Sequence, residues 1–105
     1  MIARTWRGIA TTAKADAYRR HFTSTVASRL KDIAGYQGAY LLRREADGEV
    51  EFIAITLWDS IETIKRFAGP NPEVAVVEPE ARAALTTFDD TARHYEVAYS
   101  NAPTA

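Results

Sequence analysis

The dipeptide Asp47-Gly48 constrains this chain more than any other feature. Both central residues of a type I′ turn need positive φ, and Asp-Gly is among the few pairs that tolerate it. The segments on either side alternate around this pivot, so residues 36 to 58 read as one long β-hairpin. A two-residue turn sets the register. Ala46 faces Glu49, Arg44 faces Glu51, Leu42 faces Ile53, Tyr40 faces Ile55 and Gly38 faces Leu57. Successive side chains alternate between faces. One face collects Tyr36, Gly38, Tyr40, Leu42, Ile53, Ile55 and Leu57; it is apolar and β-branched, and is expected to lie under helices. The other collects Gln37, Ala39, Leu41, Arg43, Phe52, Ala54, Thr56 and Trp58. A sheet face open to water reads polar, and this second face is half apolar. It is expected to be covered too. A chain of 105 residues has too few helices to cover both faces. A second copy is the simplest cover, with Leu41, Phe52 and Trp58 at the dimer interface.

The rest of the chain falls into order around the hairpin. Residues 2–9 alternate Ile2/Arg4/Trp6 with Ala3/Thr5/Arg7/Ile9 and read as a strand. An arginine inside a covered strand needs a carboxylate or ligand partner, or a place near an open end. Thr11-Thr12 offers a helix cap and Asp16 a first-turn negative charge. Tyr18, Phe22, Val26, Leu30 and Ile33 then form a helical stripe ended by Gly35. After the hairpin, Asp59 with Glu62 three positions on resembles a capping box, and Ile61, Ile64, Phe67 and Ala68 supply the stripe. Gly69-Pro70 stops this helix. Asn71-Pro72 is predicted to restart a short one. Pro79-Glu80 opens a third turn or helix, with Ala81, Ala84, Leu85 and Phe88 inward. Residues 91–99 form the last strand, with His94 and Glu96 on one face and Arg93, Tyr95, Val97 and Tyr99 on the other. One domain over residues 1–99 is expected, followed by a loose tail over 100–105. The order β-α-β-β-α-β is the ferredoxin-like split pattern: an α+β fold with an antiparallel sheet and helices on one face. Two such sheets face to face make a dimeric α/β barrel.

Composition excludes more than it assigns. A net charge of −1 offers nothing to nucleic acid or an anionic membrane. The absence of cysteine rules out disulfides, thiolate metal sites and cysteine nucleophiles. No secretory leader pattern opens the chain and no run of 18 apolar residues occurs, so a cytoplasmic protein is expected. There is no glycine-rich phosphate loop, GxSxG, HExxH or calcium-loop motif. Two histidines far apart make a poor metal site unless carboxylates join them, and no metal or other cofactor is expected.

Residues 52–60, Phe-Ile-Ala-Ile-Thr-Leu-Trp-Asp-Ser, followed by Phe67-Ala68-Gly69 and by Arg93-His94-Tyr95-Glu96-Val97, resemble the antibiotic biosynthesis monooxygenase-like family of the dimeric α/β-barrel superfamily. The resemblance spans residues 2–99. It implies the ferredoxin-like fold, a homodimer and a cofactor-independent monooxygenase acting on a small aromatic or quinol-type molecule. The haem-degrading branch of that family carries an Asn on the first strand, a Trp in the second helix and an iron-binding His beyond it. Here those places hold Trp6 and Arg7, Phe67, and residues 74–77 without histidine, so haem degradation is disfavoured.

Within that implied chemistry His94 is the candidate catalytic base, since imidazole titrates in the useful range. Trp6, Tyr40 and Phe67 are candidate walls of the substrate site. Arg4 and Arg93, on neighbouring strands, are candidates to hold an anionic or phenolate substrate. Each also has a plain structural reading: Trp and Tyr as packing, the arginines as ion pairs with Glu96 or Glu51, His94 as a bonded core residue. His21, beside Phe22 on the first helix, reads as surface or partly buried. The alternative function is a non-catalytic dimeric barrel that binds a small apolar ligand as a stress or accessory protein.

Overall fold

The computed structural model describes residues 1–101; positions 102–105 of the expected tail lie outside that range. In chain order the elements are β1 (Ile2–Thr11), α1 (Ala15–His21), a π-helical turn (Phe22–Val26), α2 (Ala27–Leu30), β2 (Tyr36–Ala46), β3 (Glu49–Trp58), α3 (Ile61–Ala68), α4 (Pro79–Ala84), β4 (Thr87–Phe88) and β5 (Arg93–Glu96). The antiparallel sheet runs β2-β3-β1, and both β4 and β5 pair with the far side of β1. This is the expected α+β ferredoxin-like arrangement, with its last strand broken into two short pieces. The break falls after Phe88, where Trp6 Nε1 donates to the Asp89 carbonyl at 2.7 Å.

The hairpin register is the one dictated by the turn, from Ala46↔Glu49 to Gly38↔Leu57. Asp47 and Gly48 take φ of 55° and 76°, the left-handed pair that a type I′ turn requires. One departure comes at the far end. A bulge between Tyr36 and Gly38 sets Tyr36 opposite Trp58, so its ring meets the indole edge-on at 5.5 Å.

The two faces of the hairpin are exchanged relative to expectation. Val50, Phe52 and Trp58 are at most 1% exposed, and Ala54 and Thr56 are buried with them. They lie beneath the helices, with Tyr18, Phe22, Leu30 and Ile64 packed on them. Phe52 and Trp58 are therefore core residues rather than dimer contacts, and Leu41, half-buried on the same side, packs against that core. Tyr40 (53%) and Leu42 (48%) instead stand out on the bare face, beside Ile53, Ile55 and Leu57 of β3. Alternation separates two faces but does not say which one the helices take. The flat, bulky rings of Phe52 and Trp58 fill the space under the helix layer better than a β-branched ridge.

The first helical segment contains a device the stripe only hinted at. Four residues overshoot a regular helical turn by about 40°, so a strict Tyr18-Phe22-Val26-Leu30 spacing would wind away from the sheet. The wide π turn, closed by the Ala27 N–H donating to the Phe22 carbonyl, corrects this drift. Thr23 Oγ1 and Ser24 Oγ both donate to the Arg20 carbonyl, at 3.3 and 2.5 Å, and draw that acceptor away from the regular ladder.

Helix α3 begins one residue later than predicted. Ser60, not Asp59, is its N-cap, in a capping box with Thr63. Residues 71–74 form a turn rather than a restarted helix: the Asn71 side chain accepts from the Glu73 N–H at 3.2 Å, an Asx turn that competes with helix. Gly35 has φ of 96°, and a Cβ there would lie 2.3 Å from Thr63 Cγ2. Only glycine lets the β2 entry pass so close to α3.

Candidate functional site

Between the sheet and the helix layer lies a partly enclosed cavity of about 60 Å3. β1 and β3 supply its floor, with Arg4, Trp6, Ala54 and Thr56. The α1–α2 segment supplies one wall, with Tyr18, His21, Phe22, Val26 and Leu30. Phe67 of α3 and Val76, Glu78 and Ala81 close the other side. The lining is mainly aromatic and aliphatic. The volume admits a few waters but falls below the few hundred Å3 typical of ligand sites.

Arg4 is the main electrostatic feature. It is 5% exposed on a covered strand and no carboxylate pairs with it among the described residues. Its guanidinium donates to the Pro72 carbonyl, to the Val74 carbonyl at 3.2 Å and to His94 Nε2 at 2.9 Å. It also lies 6.0 Å from the Phe67 ring centre. These partners are neutral, so burial weakens its hold on the proton and lowers its pKa to about 10. It remains a cation at neutral pH. Nothing in the sequence indicated that the turn after α3 would supply its carbonyl acceptors.

His94 is the cross-strand neighbour of Arg4, and its pKa is lowered by burial first and by the Arg4 charge second, against a smaller opposing pull from Glu73. It does not line the cavity; it borders an open surface hollow on the outer side of β5. Arg93 pairs with Thr5 in the register and so points to the bare face, away from Arg4. Tyr40 lies on that face as well. Of the predicted substrate residues, the fold thus brings together Arg4, Trp6 and Phe67, with His94 behind Arg4. Tyr40 and Arg93 are excluded, because each sits on the wrong parity of its strand.

Three further side chains, Tyr18, His21 and Glu78, none of them a site candidate from the sequence, line the same cavity. Tyr18 packs on Phe52 with ring centres 4.9 Å apart, and burial pushes its hydroxyl pKa well above the usual phenol value. His21, expected at the surface or partly buried, is 8% exposed and lines the cavity. The Thr23-Ser24-Thr25 run beside it, which makes the π turn, was the available signal: such turns are frequent at functional sites. Glu78, at the N-cap of α4, reaches the same wall and takes a 3.2 Å ion pair from Arg29. Arg29 in turn lies 5.2 Å from the Phe67 ring centre.

No protein-family model matches the chain, and no curated protein matches it. Solved structures do. A Bacillus cereus protein assigned as an antibiotic biosynthesis monooxygenase superposes with a TM-score of 0.70 at 17% identity, over 98% of this chain and 96% of that one. A variant of SnoaB, a cofactor-independent oxygenase from Streptomyces nogalater, gives 0.67 at 19% identity, over 95% of each chain. The haem degrader MhuD from Mycobacterium tuberculosis, with two haems in its active site, gives 0.60 at 19% identity, over 97% of this chain and 100% of that one. At such identities the likeness establishes the fold. The neighbours include antibiotic biosynthesis monooxygenase-like proteins, the family that the residues resemble.

Proposed function

We propose that this chain is a monooxygenase-type enzyme that binds a small phenolic or quinol-type molecule as its anion and oxidises it with dioxygen, without a redox cofactor. The observation that carries this reading is Arg4: a buried cation with only neutral partners, on the floor of an aromatic cavity. A phenolate fits both parts. Its ring meets Trp6 and Phe67, and its oxygen meets a guanidinium in a medium that strengthens the attraction. Holding the anion raises electron density on the ring carbons that must meet oxygen. In the balanced reaction an activated methylene becomes a carbonyl, one oxygen atom of O2 enters the product, the other leaves as water, and the substrate supplies all the electrons. His94 acts as a positioning residue that holds Arg4. The fold neighbours that are oxygenases support the reaction class.

Two copies joined through the bare sheet face form the working unit in this proposal. Tyr40, Leu42 and Tyr95 are about half exposed there, and the β3 residues between them are Ile53, Ile55 and Leu57. An apolar patch of this kind marks an interaction surface.

One observation favours the second reading, a non-catalytic binder of a small apolar ligand. The cavity, at about 60 Å3, must widen before it takes a fused-ring substrate. Oxygen uptake with a panel of quinols and anthrones decides between them. Uptake by the wild type that Arg4→Gln abolishes supports the enzyme. Ligand binding without any oxygen consumption supports the binder and removes the oxygenase.

A further inference from the structure

We propose that His21, Glu78 and Glu80 bind a divalent transition-metal ion of the zinc or manganese kind at the wall of the cavity. One imidazole nitrogen and one oxygen from each carboxylate lie within 4.8 Å of one another. Two donors on one ion stand no more than about 4.2 Å apart, given metal–ligand distances of about 2.1 Å. Glu80 is exposed at the first turn of α4, so a small side-chain rotation closes the set.

A second, independent observation points to a ligand. The His21 side chain is 6% exposed, and its Nε2 has no hydrogen-bond partner among the described residues. A buried polar atom left unpaired is costly, and native structures seldom leave one without a reason. Glu78 does not supply the partner, because its Oε1 lies 4.0 Å from that nitrogen, beyond hydrogen-bond reach. The same oxygen is already engaged by Arg29 at 3.2 Å. An ion between the three side chains satisfies Nε2 and both carboxylates at once. One imidazole with two carboxylates suits zinc or manganese better than calcium or magnesium, which prefer oxygen alone. The charges agree: two carboxylates against one guanidinium leave the cluster negative. His21 and Glu78 line the cavity, so the remaining coordination positions open into it, toward water or an anionic oxygen. The ion ties the end of α1 to the start of α4 and stands apart from the electron transfer of the proposed reaction.

The test needs no substrate, so its failure is distinct from failure of the oxygenase reading. The full chain is stripped with a chelator and titrated with zinc chloride by calorimetry, and with manganese chloride by electron paramagnetic resonance. One equivalent is expected to bind. Glu80→Gln, at an exposed position, is expected to weaken binding about tenfold or more, and His21→Ala to abolish it. Glu62→Gln, at an exposed carboxylate on α3 outside the cavity lining, is expected to leave binding unchanged. Absence of saturable binding by the wild type, or equal binding by Glu80→Gln, overturns the site.

Discussion

Arg4 Nη1 donates to His94 Nε2 at 2.9 Å across the β1–β5 ladder. A guanidinium has no acceptor, so the direction of this bond fixes the tautomer: Nε2 is bare and the ring proton sits on Nδ1. The lone pair a catalytic base would use is spent on the cation. The arrangement suits a ring that props Arg4 toward the cavity, and a second proton on that ring would set two positive groups against each other.

Stability should therefore fall on mild acidification. The His94 pKa is held below its ordinary 6.5 in the folded state, so below that pH the unfolded chain binds more protons than the folded one. The His94 contribution is complete above 6.5 and is lost as the pH drops through the lowered folded value. His94→Gln keeps an acceptor for Arg4 but does not titrate. Urea midpoints measured from about pH 5 upward should slope less for this variant than for wild type. Parallel profiles would show that the bond has no such linkage.

Ligand affinity should separate the two faces of the sheet. Trp6→Ala removes part of the cavity floor and is expected to weaken binding of a phenolate probe such as naphtholate by about tenfold, or about 1.4 kcal/mol. Tyr40→Ala, on the opposite face, should change it less than about twofold. Calorimetric titration of both variants checks this, and the reverse order would place the site on the bare face.

Assembly should depend on the bare face and not on Phe52 or Trp58. Leu42→Glu places a charge in the middle of the exposed apolar patch, where desolvation on association is unfavourable. Sedimentation at micromolar concentration should show dimers for wild type and monomers for the variant, with unchanged far-ultraviolet circular dichroism. A monomeric wild type would remove the dimer.

Gly35→Ala should destabilise the fold by at least about 2 kcal/mol, since a side chain there combines left-handed backbone strain with a collision against Thr63. Gly48→Ala carries only the backbone cost, because nothing among the described residues lies within 4 Å of its missing Cβ. Chemical denaturation should rank the two in that order.

Much of the fold was legible because it is local. Asp47-Gly48 set a turn type, the turn set a register, and the register held for every pair up to the bulge near Tyr36. The stripes at Tyr18, Phe22 and Leu30 and at Ile64 were buried as their spacing required. Of the site, Arg4, Trp6 and Phe67 were legible as an unusual strand cation and two large rings. Tyr40 was misplaced because both hairpin faces are apolar, and nothing in the alternation says which one the helices choose; Arg93 was misplaced because the β1–β5 register, which pairs it with Thr5 and not with Arg4, is set by strands far apart in the chain.

The order of elements, the strand pairing across the hairpin and the conflict posed by an arginine in a covered strand follow from the amino-acid sequence alone. They depend on neighbours a few positions apart. The side of the sheet that is covered, the partner of Arg4 and the burial of His21 were decided only in three dimensions. Each depends on how side chains distant in the chain fit together: Phe52 against Tyr18, Arg4 against His94 and the Val74 carbonyl, His21 against Glu78. Shape complementarity between remote surfaces has no period and no spacing, so no reading along the chain contains it.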